Sequence, residues 1–147
     1  MKSSSNKRSH ILLVEDSAAD AMLIQRSFEK NNFVHTLDWV EDGESAIAFL
    51  ERRGKYKRAI RPNLIILDLN LPKLDGREVL QQIKDNSAFR RIPIVVMSTS
   101  NSDRDISSSY DLHANCYIVK PYDIYEYMRV VKLIEEFWLR TVKLAQL

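Results

Sequence analysis

The run Leu64-Ile65-Ile66-Leu67 is apolar without a break, and it ends on a carboxylate, Asp68. A short run of this kind, edged by turn residues, reads as a strand covered on both faces. Pro72 and the pair Asp75-Gly76 then mark a loop. Asp68 is therefore expected at the carboxyl end of a central parallel strand, where open α/β sheets place their ligands.

The remainder of the chain alternates strand with helix. Residues 10–14 form a second buried-type strand that ends in Glu15 and Asp16. Ser17 caps a helix reaching about Asn31, with Ala21, Ile24 and Phe28 inward. Residues 34–40 alternate as an outer strand. Asp42 and Gly43 open a helix whose inner face is Ala46, Ile47, Phe49 and Leu50, and Gly54 closes it. Past Gly76 a third helix carries Val79, Leu80 and Ile83 inward. Strand 92–98, a weaker helix 102–112 and strand 116–119 follow, and Asp123 caps a long last helix. Five such alternations predict an α/β fold: a doubly wound five-stranded parallel sheet, flavodoxin-like, of order 2-1-3-4-5 with five helices. Its last helix is longer than the sheet requires.

At 147 residues the chain suits one domain, expected over 9–147, with the polar residues 1–8 as a disordered tail. A formal charge of +2 does not argue for nucleic acid. The basic run 52–58 with Arg61 reads as a solvated loop, and His10, His35 and His113 lack metal-like spacing. No apolar run is long enough for a membrane span, and no signal peptide is expected. Cys116 is the one cysteine, which suits the reducing cytoplasm.

The topology delivers Glu15, Asp16, Asp68, Ser98 and Lys120 to the same edge of the sheet. Carboxylates this crowded raise one another's proton affinity unless a cation balances them. Hard oxygen donors without clustered thiols or imidazoles favour Mg²⁺, which prefers few carboxylates plus water and phosphate. Asp68 is then the candidate nucleophile, Lys120 a mobile point charge for phosphoryl oxygens, and Ser98 a hydroxyl donor. Taken singly, Asp68 reads as a turn former and Lys120 as a surface lysine. Their joint placement selects the chemical reading.

The set Glu15-Asp16, Asp68 with Pro72 and Asp75-Gly76, Ser98-Thr99 and Tyr117-Ile118-Val119-Lys120-Pro121 resembles the receiver domain of two-component response regulators. The resemblance covers nearly the whole chain, and it implies that Asp68 takes phosphate from a kinase phosphohistidine. By the same resemblance Asp16 binds Mg²⁺ with Glu15, and the backbone carbonyl of Asn70 is a further ligand. Ser98 and Lys120 contact the phosphoryl group, Ser98 and Tyr117 form a switch pair, and the Lys120–Pro121 peptide is expected to be cis. Asn70 and Ser100 stand at positions that tune the adduct's lifetime. Glu15 and Ser98 occupy places where Asp and Thr are commoner, yet keep the functional group.

Segments 61–72, 76–80, 91–93 and 137–139 are similar to the small response regulators paired with cyanobacterial phytochromes, which implies a phytochrome-type sensor histidine kinase as partner. Such a protein is a phosphoacceptor and not an enzyme, with output through protein contact. A phosphorylation-independent scaffold and an aspartate-based phosphatase are the competing readings. The phosphatase usually needs an acid two residues past the nucleophile, where Asn70 stands.

In the last helix Ile124, Tyr127, Met128, Val131 and Trp138 lie on one stripe, expected to face the sheet. Val130, Leu133, Phe137 and Leu144 lie on a second. A helix apolar on two faces is covered on both, so the second stripe is expected to form an isologous homodimer interface, shared with the fourth helix and fifth strand.

Overall fold

Every run read as a buried strand pairs in parallel with its neighbours. A computed structural model of the chain describes residues 8–31 and 35–145. In order come β1 (Ser9–Val14), α1 (Ala18–Lys30), β2 (His35–Val40), α2 (Gly43–Glu51), β3 (Leu64–Leu67), α3 (Gly76–Asp85), β4 (Ile94–Ser98), α4 (Asp103–Asp111), β5 (Cys116–Val119) and α5 (Ile124–Ile134). A short 3-10 turn, Gly54–Tyr56, follows α2, and a π-helical segment, Glu135–Thr141, extends α5. The sheet order is β2-β1-β3-β4-β5, as the alternation predicts. Val34, read as the first residue of β2, and residues 1–7 of the expected tail lie outside the described residues. Arg8 is placed: its guanidinium donates to the His35 carbonyl at 2.8 Å.

Side-chain alternation divides the core into two layers. Leu12, Val14, Ile65, Leu67, Ile94 and Val96 face α2 and α3, meeting Phe49, Leu50, Leu80 and Ile83. Ile11, Leu13, Leu64, Ile66, Val95 and Met97 face α1 and α5, meeting Ile24, Phe28, Tyr127 and Val131. Truncating any of the fully buried leucines or isoleucines to Ala costs roughly 2–5 kcal/mol, from lost transfer energy and the cavity left behind. Each helix starts on a Ser or Asp whose side chain accepts a free N–H of the first turn: Ser17, Asp42, Asp75, Ser102 and Asp123. These caps fix where each helix begins, and so the length of each loop at the carboxyl edge.

Two boundaries and one helix face differ from expectation. Strand β4 begins at Ile94 rather than Ile92, because Pro93 has no N–H and the Ile92 carbonyl is taken by the Lys84 ammonium at 3.0 Å. Helix α2 stops at Glu51: Arg52 adopts the left-handed conformation, φ 57°, and its N–H closes the last turn, so Gly54 opens the 3-10 turn instead of ending the helix. In α5, Ile124 is exposed and Ile134 takes the inward place. Ile124 sits in the first turn, before the helix passes over the sheet.

The π segment resets the face that the chain presents beyond Ile134. Its five-residue spacing brings the Arg140 guanidinium within 2.7 Å of the buried Glu135 carboxylate, and the Thr141 hydroxyl donates to the Glu136 carbonyl at 2.6 Å. Trp138 still packs against the α1/α5 layer, while Phe137 turns outward.

Candidate functional site

The backbone at the carboxyl edge is fastened before any side chain is considered. The Glu15 N–H donates to the Val40 carbonyl at 3.1 Å, and the Trp39 indole donates to the Glu15 carbonyl at 2.7 Å. The Asp68 N–H donates to the Val14 carbonyl at 3.0 Å, and the Lys120 N–H to the Ser98 carbonyl at 2.7 Å. The sheet ladder thus runs one residue past the strands and carries three charged side chains to one place.

There Lys120 Nζ donates to Glu15 Oε1 at 2.8 Å, to Asp20 Oδ2 at 2.8 Å and to Asp68 Oδ2 at 2.9 Å. Glu15 is 2%, Asp68 6% and Lys120 7% exposed. The other oxygens are engaged too: Glu15 Oε2 accepts the Ser17 N–H and Asp68 Oδ1 the Asn70 N–H, both at 3.1 Å. Oxygens of Glu15, Asp16 and Asp68 lie within 4.8 Å of one another, with Asp16 on the exposed side. Three hard donors converging from two strand ends, one open to solvent, fit a divalent cation of the Mg²⁺ or Mn²⁺ kind.

Burial pushes the Glu15 carboxyl up to about 7 against the opposing bond from Lys120, and the charge of Asp68 adds to the rise. For Lys120 burial acts downward, but the bonds to Asp20, Glu15 and Asp68 overturn it and push its pKa up. The lysine is a locked cation inside a carboxylate nest.

Ser98 is fully buried at the end of β4, and its hydroxyl accepts the Ser100 N–H at 3.2 Å. The Tyr117 hydroxyl, half-buried, donates to the Ser100 carbonyl at 2.9 Å. Ser98 and Tyr117 therefore meet on one residue of the β4–α4 loop, Ser100. Ser100 Oγ in turn donates to Asp105 at 2.6 Å, and Asp105 accepts Arg77 of α3 at 2.5 Å. The expectation of a cis peptide before Pro121 is corrected: among the described residues every peptide bond is trans. The trans form is the intrinsic preference before proline, and Lys120 reaches its carboxylates with it.

With this geometry in view, comparison with known proteins is decisive. The family model for the response regulator receiver domain matches residues 11–132. The chain belongs to this family. The receiver is 49% identical to response regulator Rcp1 of Synechocystis, over 98% of each chain. It is 45% identical to the probable methanogenesis regulatory protein FilR2 of Methanothrix harundinacea, over 88% of this chain and 83% of that one. Among solved structures, the phosphorylated cyanobacterial phytochrome response regulator RcpA superposes with a TM-score of 0.92 at 49% identity, covering 95% of this chain and all of the other. The Mn²⁺-bound form of Rcp1 gives 0.89 at 48% identity, covering 94% and 99%.

The sequence-predicted residues of the receiver divide by place. Glu15, Asp16, Asp68 and Lys120 are brought together, and Asn70 lies over Asp68 through its N–H. Ser98 and Tyr117 are joined through Ser100. On the last helix Leu133 and Phe137 are 48% and 51% exposed, while Val130 and Leu144 are half-buried and Val130 packs against the α1/α5 layer. Sequence reading missed Asp20, the third acceptor of Lys120. It stands four residues past Asp16 in the first turn of α1, where an acid reads only as a favourable charge at a helix start. No helix among the described residues is long and apolar enough to cross a membrane.

Proposed function

We propose that this chain accepts a phosphoryl group on Asp68 from the phosphohistidine of a sensor histidine kinase, of phytochrome type, in a Mg²⁺-dependent two-component phosphorelay. Asp68 Oδ attacks phosphorus, an O–P bond forms, and the P–N bond to the kinase imidazole breaks with its electron pair leaving on nitrogen. The observation that carries the reading is the Lys120 ammonium, held 2.9 Å from Asp68 with both side chains buried and set to meet charge where phosphorus arrives. Glu15, Asp16, Asp68 and the Asn70 carbonyl would hold Mg²⁺, which when bound supplies the positive charge that four neighbouring acids lack. Ser98 offers a hydroxyl to the phosphoryl group. That pull on Ser98 reaches Tyr117 through Ser100, making the β4–α4 loop the switch.

The similarity to RcpA and Rcp1 supports the phytochrome-type kinase as donor and the cytoplasm as the place of work. Residues 9–147 act as one receiver domain, and no contact with nucleic acid or membrane is required. Output passes through protein contact, by a homodimer built on Val130, Leu133, Phe137 and Leu144. The chain is a signalling phosphoacceptor rather than an enzyme with a separate substrate.

Acetyl phosphate with Mg²⁺, followed by intact-mass spectrometry, tests the reading. A labile single-phosphate adduct is expected on the wild type and none on Asp68→Asn. A scaffold gives no adduct on either protein, and a phosphatase turns acetyl phosphate over without stable labelling. Transfer from a phytochrome-type kinase, faster than from an unrelated kinase, tests the donor.

A further inference from the structure

We infer that Asp20 is a positioning residue for Lys120: it holds the ammonium in the unphosphorylated protein, yields it to the phosphoryl group, and passes to the Tyr127 hydroxyl. This deepens the phosphoacceptor reading above and rests on it.

A lysine ammonium has three protons, and here all three are committed, to Glu15, Asp20 and Asp68. A phosphoryl oxygen on Asp68 receives one only if a present acceptor lets go. Glu15 is sealed from water, with its second oxygen tied to the Ser17 N–H. Asp68 carries the new group and stays where it is. Asp20 is the one partner with a side chain substantially open to water, 31% exposed, so leaving costs it least. An arriving phosphoryl group also places negative charge beside Asp20, and like charges push it away.

The structure supplies a destination. Tyr127 is 4% exposed, and its hydroxyl has no hydrogen-bond partner among the described residues. Tyr127, Asp20 and Lys120 line the same cavity, of about 570 Å³, between α1 and the start of α5. An unpaired buried hydroxyl is a cost to the resting fold, and such groups in native structures call for an explanation. A carboxylate released from Lys120 into this cavity gives the phenol its acceptor.

Beryllofluoride, a phosphoryl mimic, titrated at fixed Mg²⁺ reads the exchange. The fluorescence of Trp39, whose indole bonds to the Glu15 carbonyl, reports the site. Asp20→Ala removes the competitor, and in a Tyr127→Phe background, where a released Asp20 gains no new partner, it is expected to raise affinity about five-fold, the worth of one partly exposed ion pair. Tyr127→Phe is expected to lower affinity several-fold while its melting temperature holds or rises. In the Asp20→Ala background Tyr127→Phe is expected to have no effect on affinity. Unchanged or weaker binding when Asp20→Ala is added to Tyr127→Phe, or an equal effect of Tyr127→Phe in both backgrounds, overturns the inference. If the wild type binds as poorly as Asp68→Asn, the phosphoacceptor reading falls and takes this one with it. If the wild type binds, Asp68→Asn does not, and adding Asp20→Ala to Tyr127→Phe leaves affinity unchanged, the exchange alone is wrong.

Discussion

Glu15 shows how a single buried acid ties stability to the chemistry of the site. Its carboxyl titrates near 7 in the fold, against an ordinary value of 4.5. Between those values the folded protein keeps a proton that the unfolded chain has lost. Folding then takes up a proton, and stability falls as pH rises through that window. The displacement corresponds to a loss on the order of 3 kcal/mol for this group alone. Lys120 does not mask the effect, because its folded pKa is raised above 10.5 and its contribution is fully present throughout the window. Urea unfolding of the metal-free protein at pH 5 and pH 7.5 should show the wild type losing stability relative to Glu15→Gln. A flat difference between the two proteins would refute the assignment. The same proton competes with a cation for Glu15, so Mg²⁺ affinity should weaken as pH drops below about 7 and do so less in Glu15→Gln.

At the scale of elements, the first turn of α3 is pressed onto the loop that begins at Asp68. A Cβ at Gly76 would stand 2.5 Å from the Asp68 carbonyl oxygen and 2.5 Å from the Leu69 Cα, both backbone atoms that cannot step aside. Gly76→Ala should therefore cost about 1–3 kcal/mol in denaturant unfolding and slow adduct formation by displacing Asp68. Normal labelling with full stability would show that the loop yields freely. The sequence announced Asp68, Glu15, Asp16 and Lys120 because parallel strands send all their carboxyl ends to one edge, whatever their separation along the chain. It announced Gly76 only as a turn former, since the close approach of α3 depends on packing between Val79, Leu80 and the sheet. Asp20 was hidden for a similar reason: its bond to Lys120 spans a hundred residues and depends on how α1 packs beside α5. The π segment escaped because its i, i+5 pairs, such as Glu135 with Arg140, follow no period that marks an α-helix.

For the whole molecule, the open question of what the receiver touches is sharpest at β5, which lies at one margin of the sheet. Exposed apolar side chains cluster by sequence on the elements beside that margin: Tyr110 of α4, Val119 of β5, Tyr125 and Leu133 of α5, and Phe137 beyond it. Tyr110 is fixed there, its hydroxyl accepting the Tyr117 N–H at 3.2 Å, so the proposed switch residue and this face share a hydrogen bond. An edge strand flanked by apolar side chains invites cover. A second copy related by a two-fold axis supplies it symmetrically, because each residue then meets the same patch it belongs to. Phe137 is half-exposed only because the π segment turns it away from the layer that holds Trp138, so a charge at 137 disturbs the proposed contact and leaves the core intact. Phe137→Glu should thus halve the mass seen by light scattering while its circular dichroism stays that of the wild type. The wild-type melting temperature should rise with protein concentration, and that of Phe137→Glu should not. An unchanged mass for the variant would remove the dimer from this face. Because Tyr117 ties the same face to Ser100, wild-type beryllofluoride binding should also shift the dimer's dissociation constant, and a constant that does not move would uncouple the switch from the interface.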